Sequence, residues 1–183
     1  MAMNHKPTLA PRPALHERTA RSEAAGFKAL DAAHAAAAAM LLQFRQLVQG
    51  LASGGIGPTA QRSAREVLMY FQGPGRHHHE DEERLVFPAL LHSGDAALVA
   101  QVRRLQQDHH WLDQDWREFE PHVRAVAEGY NGYDLPFLEA ALPVFEALYQ
   151  DHIALEENEV YPAARRFHQG RREAETAGRL PVG

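Results

Sequence analysis

The sequence predicts an all-α fold, an antiparallel up-and-down four-helix bundle, and three observations carry that expectation. Apolar residues recur at steps of three and four through most of the chain. No segment alternates apolar and polar residues over the length of a strand. Four long helical stretches are joined by short connections, which favours antiparallel neighbours. At 183 residues the chain suits one domain with a real core. Residues 23–170 are assigned to the bundle. Residues 1–22, with three prolines and few large apolar side chains, read as a mobile N-terminal tail, and 171–183 read as a C-terminal tail.

The first helix is marked by the stripe Phe27, Leu30, His34, Ala37, Leu41, Phe44 and Val48. Five consecutive alanines, Ala35–Ala39, favour helix and allow a neighbour to approach closely. The breakers from Ser53 to Pro58 end it. The second helix is expected to start near Thr59 as N-cap, with Val67, Leu68 and Phe71 facing inward. Gly73-Pro74-Gly75 predicts a kink or short break, followed by helix from about Arg76 to Leu91. The third helix should run from about Asp95 to Glu128 on the stripe Leu98, Val102, Leu105, His109, Leu112, Trp116 and Phe119, with Pro121 bending or ending it. After the turn Gly129–Gly132, the fourth should cover about Asp134 to Phe167, bent at Pro143 and Pro162.

Composition narrows the function. The chain has no cysteine, which removes disulfides, thiolate zinc sites and iron–sulfur ligation and fits a reducing, cytoplasmic setting. The net charge is −5, and the one basic cluster, Arg165, Arg166, Arg171 and Arg172, lies near a helix C-terminus where it complements the dipole. No nucleic-acid partner is expected. No apolar run approaches a membrane span, so no membrane partner is expected either.

The histidines sit where leucines would be expected. His34, His109 and His152 each occupy a core stripe. Two helices also carry His with Glu four residues later, His78 with Glu82 and His152 with Glu156. That spacing puts an imidazole and a carboxylate on one helix face, within reach of one small volume. A buried carboxylate requires a cation, and no lysine lies in these stripes. A lone core histidine is more often a hydrogen-bonded structural residue, and an isolated His–Glu pair more often a solvated one. The combination across four helices points instead to metal. Imidazole and carboxylate suit Fe, Mn, Zn or Ni, and six ligands exceed one tetrahedral zinc site. His110 lies on a polar face and is expected to meet water.

The run His78-His79-Glu80-Asp81-Glu82-Glu83-Arg84-Leu85-Val86-Phe87-Pro88 resembles the His-His-x-x-Glu-Glu-x-x-Leu-Phe-Pro signature of hemerythrin-like (HHE cation-binding) domains, with Val86 where the signature has Leu. His152 to Glu156 and Tyr161-Pro162 resemble the last-helix motif, and His34 and Asp108-His109 match the first and third helices. The resemblance covers about residues 27–168. It implies His34, His78, Glu82, His109, His152 and Glu156 as metal ligands. It also implies two Fe ions (Fe2+/Fe3+) with Glu82 and Glu156 bridging and an oxo or hydroxo bridge, Zn or Mn being possible substitutes. The choice of Glu82 over Glu83 rests on the resemblance, because the apolar stripe Leu85, Val86, Ala89 and Leu90 does not separate them. Oxygen-carrying hemerythrins have a second histidine on the third helix; here Asp113 stands in its place, as in bacterial relatives linked to nitric oxide stress and iron–sulfur repair. Asp113 is read as an outer partner, an added ligand or a solvated carboxylate.

The run Tyr70-Phe71-Gln72-Gly73 before three histidines looks like an engineered cleavage site and tag, but it continues into the acidic signature and is read as native. His77 and His79 are expected outside the first ligand layer. His5, His16, His92, His122 and His168 are expected at the surface. The expected function is a di-iron protein that binds or reacts with O2 or NO, with Phe71, Trp111, Leu112 and Leu155 as apolar walls. The alternative is a di-iron oxidoreductase that reduces NO or peroxide, or oxidises ferrous iron, with electrons from a redox partner protein. A third reading, a helical module without functional metal, ranks last. The sequence carries no flavin or nicotinamide fingerprint.

Overall fold

A computed structural model of the chain describes residues 15–177, with side chains from 25 onward except 175 and 176. It is all-helical among the described residues. Helix α1 (Leu15–Gly54) is one 40-residue rod. A second rod is built from α2 (Pro58–Gln72), α3 (Pro74–Asp81), a π-helical turn (Glu82–Val86) and α4 (Phe87–Leu91). Helix α5 (Ala96–Glu128) is the third. The fourth consists of α6 (Leu135–Leu155), a second π-helical turn (Glu156–Val160) and α7 (Tyr161–Ala177). Around the bundle α1 neighbours α2 and α6, and α5 neighbours the same two.

The turn chemistry accounts for the element ends. Asp95 caps α5 by accepting from the backbone N–H of Ala97 and Leu98, at 3.0 and 3.1 Å. Asp134 caps α6 through Phe137 N–H at 3.0 Å. Gly129 closes α5 with φ of +83°, a conformation that glycine adopts without strain. Thr59 is not the cap of α2: the helix already includes Pro58, whose missing N–H costs nothing in a first turn, and Gly57 precedes it.

Other expectations need correction. The assigned N-terminal tail, 1–22, lies mostly outside the described residues, but 15–22 belong to α1. Of the assigned C-terminal tail, 171–177 continue α7 and the rest lies outside the described residues. Helix α5 continues through Pro121, so it does not end there, and α6 continues through Pro143, where a bend was expected. Around Pro121 the buried Phe119, Val123 and Val126 hold the helix in place, and packing outweighs the lost hydrogen bond. The break at 73–75 is present, with Gly73 at φ −122° and ψ −98°. Gly75 lies close enough to α2 that a Cβ would stand 3.0 Å from the Tyr70 ring.

The apolar interior is split in two. The larger cluster includes Leu41, Phe44, Phe71, Trp116, Phe119, Phe145 and Tyr149. The smaller contains Val86, Phe87, Leu90, Val102, Leu105, Val160 and Ala164, with Phe27 and Leu30 against it. Every rod crosses from one to the other, and at each crossing stands a histidine. His34 lies between Leu30 and Ala37, and His109 between Leu105 and Leu112. Among the described residues, no helix is long and apolar enough to cross a membrane.

Candidate metal centre

The polar layer between the two clusters is almost wholly buried. His152, Glu82 and Glu156 have no exposed surface, and His34, His78 and His109 are at most 8% exposed. All six residues expected to bind metal meet here, from all four rods. They form two groups of four: His34, His78, Glu82 and Glu156, and Glu82, His109, His152 and Glu156. Within each group one ligand atom per residue lies within 4.8 Å of the others. Both glutamates belong to both groups.

The two carboxylates are shared in different ways. Glu156 Oε2 lies 3.0 Å from His34 Nε2, and its Oε1 lies 3.3 Å from His152 Nε2. Its two oxygens therefore face opposite sides. Glu82 Oε2 lies 3.7 Å from His78 Nε2 and 3.4 Å from His109 Nε2. Its other oxygen accepts a hydrogen bond from the Tyr161 hydroxyl, which also contacts His34 Nε2 at 3.2 Å.

Whether metal fits can be tested on these atoms. Both nitrogens of His78 and of His152, His109 Nε2, Glu82 Oε2 and both oxygens of Glu156 are buried without a hydrogen-bond partner. Of these, His152 Nε2 and Glu156 Oε1 lie 3.3 Å apart, yet they are not aligned to bond to one another. Unsatisfied buried polar atoms are rare and costly, and here they cluster in one layer. Lone pairs aimed at a common point instead of at each other are what a cation coordinates. The donor set of imidazole and carboxylate suits borderline divalent metals.

Burial sets the protonation of the metal-free layer. It pushes the Glu82 carboxyl up to about 7, with the nearby Glu156 adding to the rise. For Glu156 burial also acts upward, but the imidazoles of His152 and His34 outweigh it and hold the carboxyl low. Burial lowers His78 to about 4. For His152 burial is outweighed by the carboxylates of Asp108 and Glu156, which raise it to about 9.

Local sequence explains the placement. The two motif segments share one pattern: His78 and His152, then Glu82-Glu83 and Glu156-Glu157, then Val86-Phe87-Pro88 and Val160-Tyr161-Pro162. In both, the backbone widens into a π turn that starts at the inner glutamate. Phe87 N–H bonds to Glu82 C=O, and Tyr161 N–H to Glu156 C=O, each five residues back. The proline that follows lacks an N–H and would press its ring on the carbonyl four residues earlier in a regular α-helix. The wide turn relieves both.

The repeat also assigns the outer glutamates, which the sequence reading left without a role. Glu83 Oε1 lies 3.1 Å from His109 Nδ1, and Glu157 Oε1 lies 3.0 Å from His34 Nδ1. Each fixes the ring so that Nε2 faces inward. Phe87 stacks on His109 and Tyr161 on His34, at 15° and 9° between planes. The repeated Glu-Glu and the Phe-Pro and Tyr-Pro pairs were the signals for these roles. Asp108 Oδ2 lies 3.8 Å from His152 Nδ1, beyond hydrogen-bond length, and both atoms lack a partner.

A cleft of about 480 Å³ opens onto the second group, lined by Phe71, Leu112, Trp116 and Tyr149 within and Arg76 and Arg84 among its polar residues. Phe71 and Leu112 are thus walls as expected. Trp111 is 46% exposed and is not among the lining residues, and Leu155 packs on the smaller cluster instead. Asp113 also lines the cleft but pairs with Arg117 and belongs to neither group of four. His77 and His110 are exposed. His79 is half-buried, and its ring stacks on His109 with centroids 4.2 Å apart. His92 is exposed and His122 and His168 half-buried, while the side chains of His5 and His16 lie outside those described.

A family model, the hemerythrin HHE cation binding domain, matches residues 25–164, which is well over half of the chain and contains all six candidate ligands. No curated protein and no solved structure matches the chain.

Proposed function

The chain belongs to the hemerythrin HHE cation-binding domain family, and from that premise we propose that it is a di-iron protein that binds or reacts with O2 or NO. His34 and His78 would hold one iron and His109 and His152 the other. Glu82 and Glu156, together with a solvent-derived oxo or hydroxo group, would bridge them. The observation that carries this reading is the sharing of both glutamates by two otherwise separate pairs of histidines. An iron pair held there would supply redox chemistry toward a diatomic molecule, with electrons drawn from an external reductant. Zinc or manganese can compete for the same donors. An antiparallel up-and-down order of the four rods is part of the proposal, and a cytoplasm that supplies Fe2+ suits it.

The protein's own groups prepare the site. Glu83 and Glu157 hold the outer nitrogens of His109 and His34. The Tyr161 hydroxyl donates to Glu82 and so holds that carboxylate beside the first pair of histidines. Phe71, Leu112 and Trp116 make the inner cleft wall apolar, which limits water while admitting a small apolar gas. The cleft offers an approach to the second pair of histidines. Sensing, protection from NO, and iron handling all remain within this proposal; turnover with a redox partner protein is its enzymatic form.

Metal analysis with absorption spectra tests it. Two irons per chain are expected, with a near-ultraviolet band from the bridged ferric pair and a spectral change when the reduced protein meets O2 or NO. Uptake of fewer than two irons would sink the proposal. Steady consumption of NO or peroxide with a reductant would mark an enzyme, and a single stoichiometric event a binder.

A further inference from the structure

Neither group of four needs His79, yet its Nε2 is closed to solvent and has no hydrogen-bond partner. The residue as a whole is half-buried because it also forms part of the cleft wall. One nitrogen of its ring lies within 4.8 Å of a nitrogen of His109 and of one of His152, which lie equally close to each other. The ring stacks on His109 and meets His152 edge to face, with centroids 5.3 Å apart. A shut-in imidazole nitrogen with no donor or acceptor beside it is costly unless its lone pair has another use. A nitrogen of the same ring lies beside nitrogens of His109 and His152, the second pair. In the other copy of the repeat, Ile153 takes the equivalent place and has no lone pair to offer.

We propose that His79 supplies a third imidazole to the ion held by His109 and His152, so that the two ions are bound unequally. The first ion keeps His34 and His78 alone, and the second has three imidazoles. This assignment rests on the dinuclear reading above. It also means that His79 stands between the cleft and the second ion, so a molecule arriving through the cleft meets this ligand first.

The test uses the full chain loaded with iron or cobalt. X-ray absorption of the wild type should count about five imidazoles per two ions, against four without His79. In His79→Ala, one of the two stepwise metal affinities should fall by about tenfold or more while the other stays within about twofold. Added free imidazole should restore the weakened step, which a merely structural loss would not permit. His77→Ala, at an exposed neighbour, should change neither step. If His79→Ala does not fold, His79→Phe keeps a ring stacked on His109 and should show the same selective loss. Wild-type protein that takes up two ions with four imidazoles, or variants that keep both affinities, would overturn the assignment alone. Wild-type protein that takes up fewer than two ions would overturn the dinuclear reading with it.

Discussion

Glu83 and Glu157 are single side chains with separable effects, because each is tied to a different ligand histidine. Removing the carboxylate in Glu157→Ala frees His34 to change tautomer and tilt. Affinity for the ion at His34 and His78 is expected to fall about 10–100-fold, as is usual for loss of an outer hydrogen-bond partner. Glu83→Ala should weaken the other ion by a similar factor through His109. Stepwise metal titration followed by calorimetry separates the two, and equal effects on both ions would contradict the pairing. Tyr161→Phe removes a hydrogen bond to a fully buried carboxylate. The metal-free protein should lose about 1–3 kcal/mol, read from chemical denaturation. At this scale the sequence was informative where a histidine replaced a leucine in a stripe. It could not expose the role of Glu157, which appears only when α1 and the second π turn are side by side.

Among the elements, the π turns explain why the second rod was hard to phase. A regular α-helix from His78 would put Leu85, Val86 and Ala89 on the face of Glu82. The extra residue in the turn shifts the inward stripe to Val86, Phe87 and Leu90, and leaves Leu85 60% exposed. The helical period was legible across all four rods because apolar spacing is local. The change of phase was not, since it depends on a proline whose effect lies in the preceding turn. The same rod is set at its other end by the tight approach at Gly75. A methyl group there would sit 3.0 Å from the Tyr70 ring and 3.3 Å from its carbonyl. Gly75→Ala should therefore push α3 away from α2, at a cost of about 1–3 kcal/mol. Because α3 carries His78, metal affinity should fall as well; thermal melts with and without metal check both effects.

Taken as one molecule, the metal-free protein should be most stable near pH 6.5. His152, raised to about 9, and His34 and His109, also raised, contribute stability that is complete below their unfolded value and lost as pH climbs towards 9. His78, lowered to about 4, and His79, also lowered, act the other way: they weaken the fold as pH falls from 6.5 towards 4. Glu156, held low, loses its contribution in acid as well, and Glu82, at about 7, partly offsets these losses. Melting temperature against pH should thus peak and then decline on the alkaline side. Bound metal should reverse that decline, because the ligands must give up protons to hold it and alkaline pH favours their release. At a free metal concentration a hundred times Kd, mass action adds about 2.7 kcal/mol per site. The divided interior has a last consequence. With buried carboxylate and imidazole atoms left without hydrogen-bond partners across its waist, the empty bundle is two apolar blocks joined by a weak seam. Heating it should show two calorimetric steps, one block melting before the other, and filling the seam with cations should weld them into a single cooperative transition.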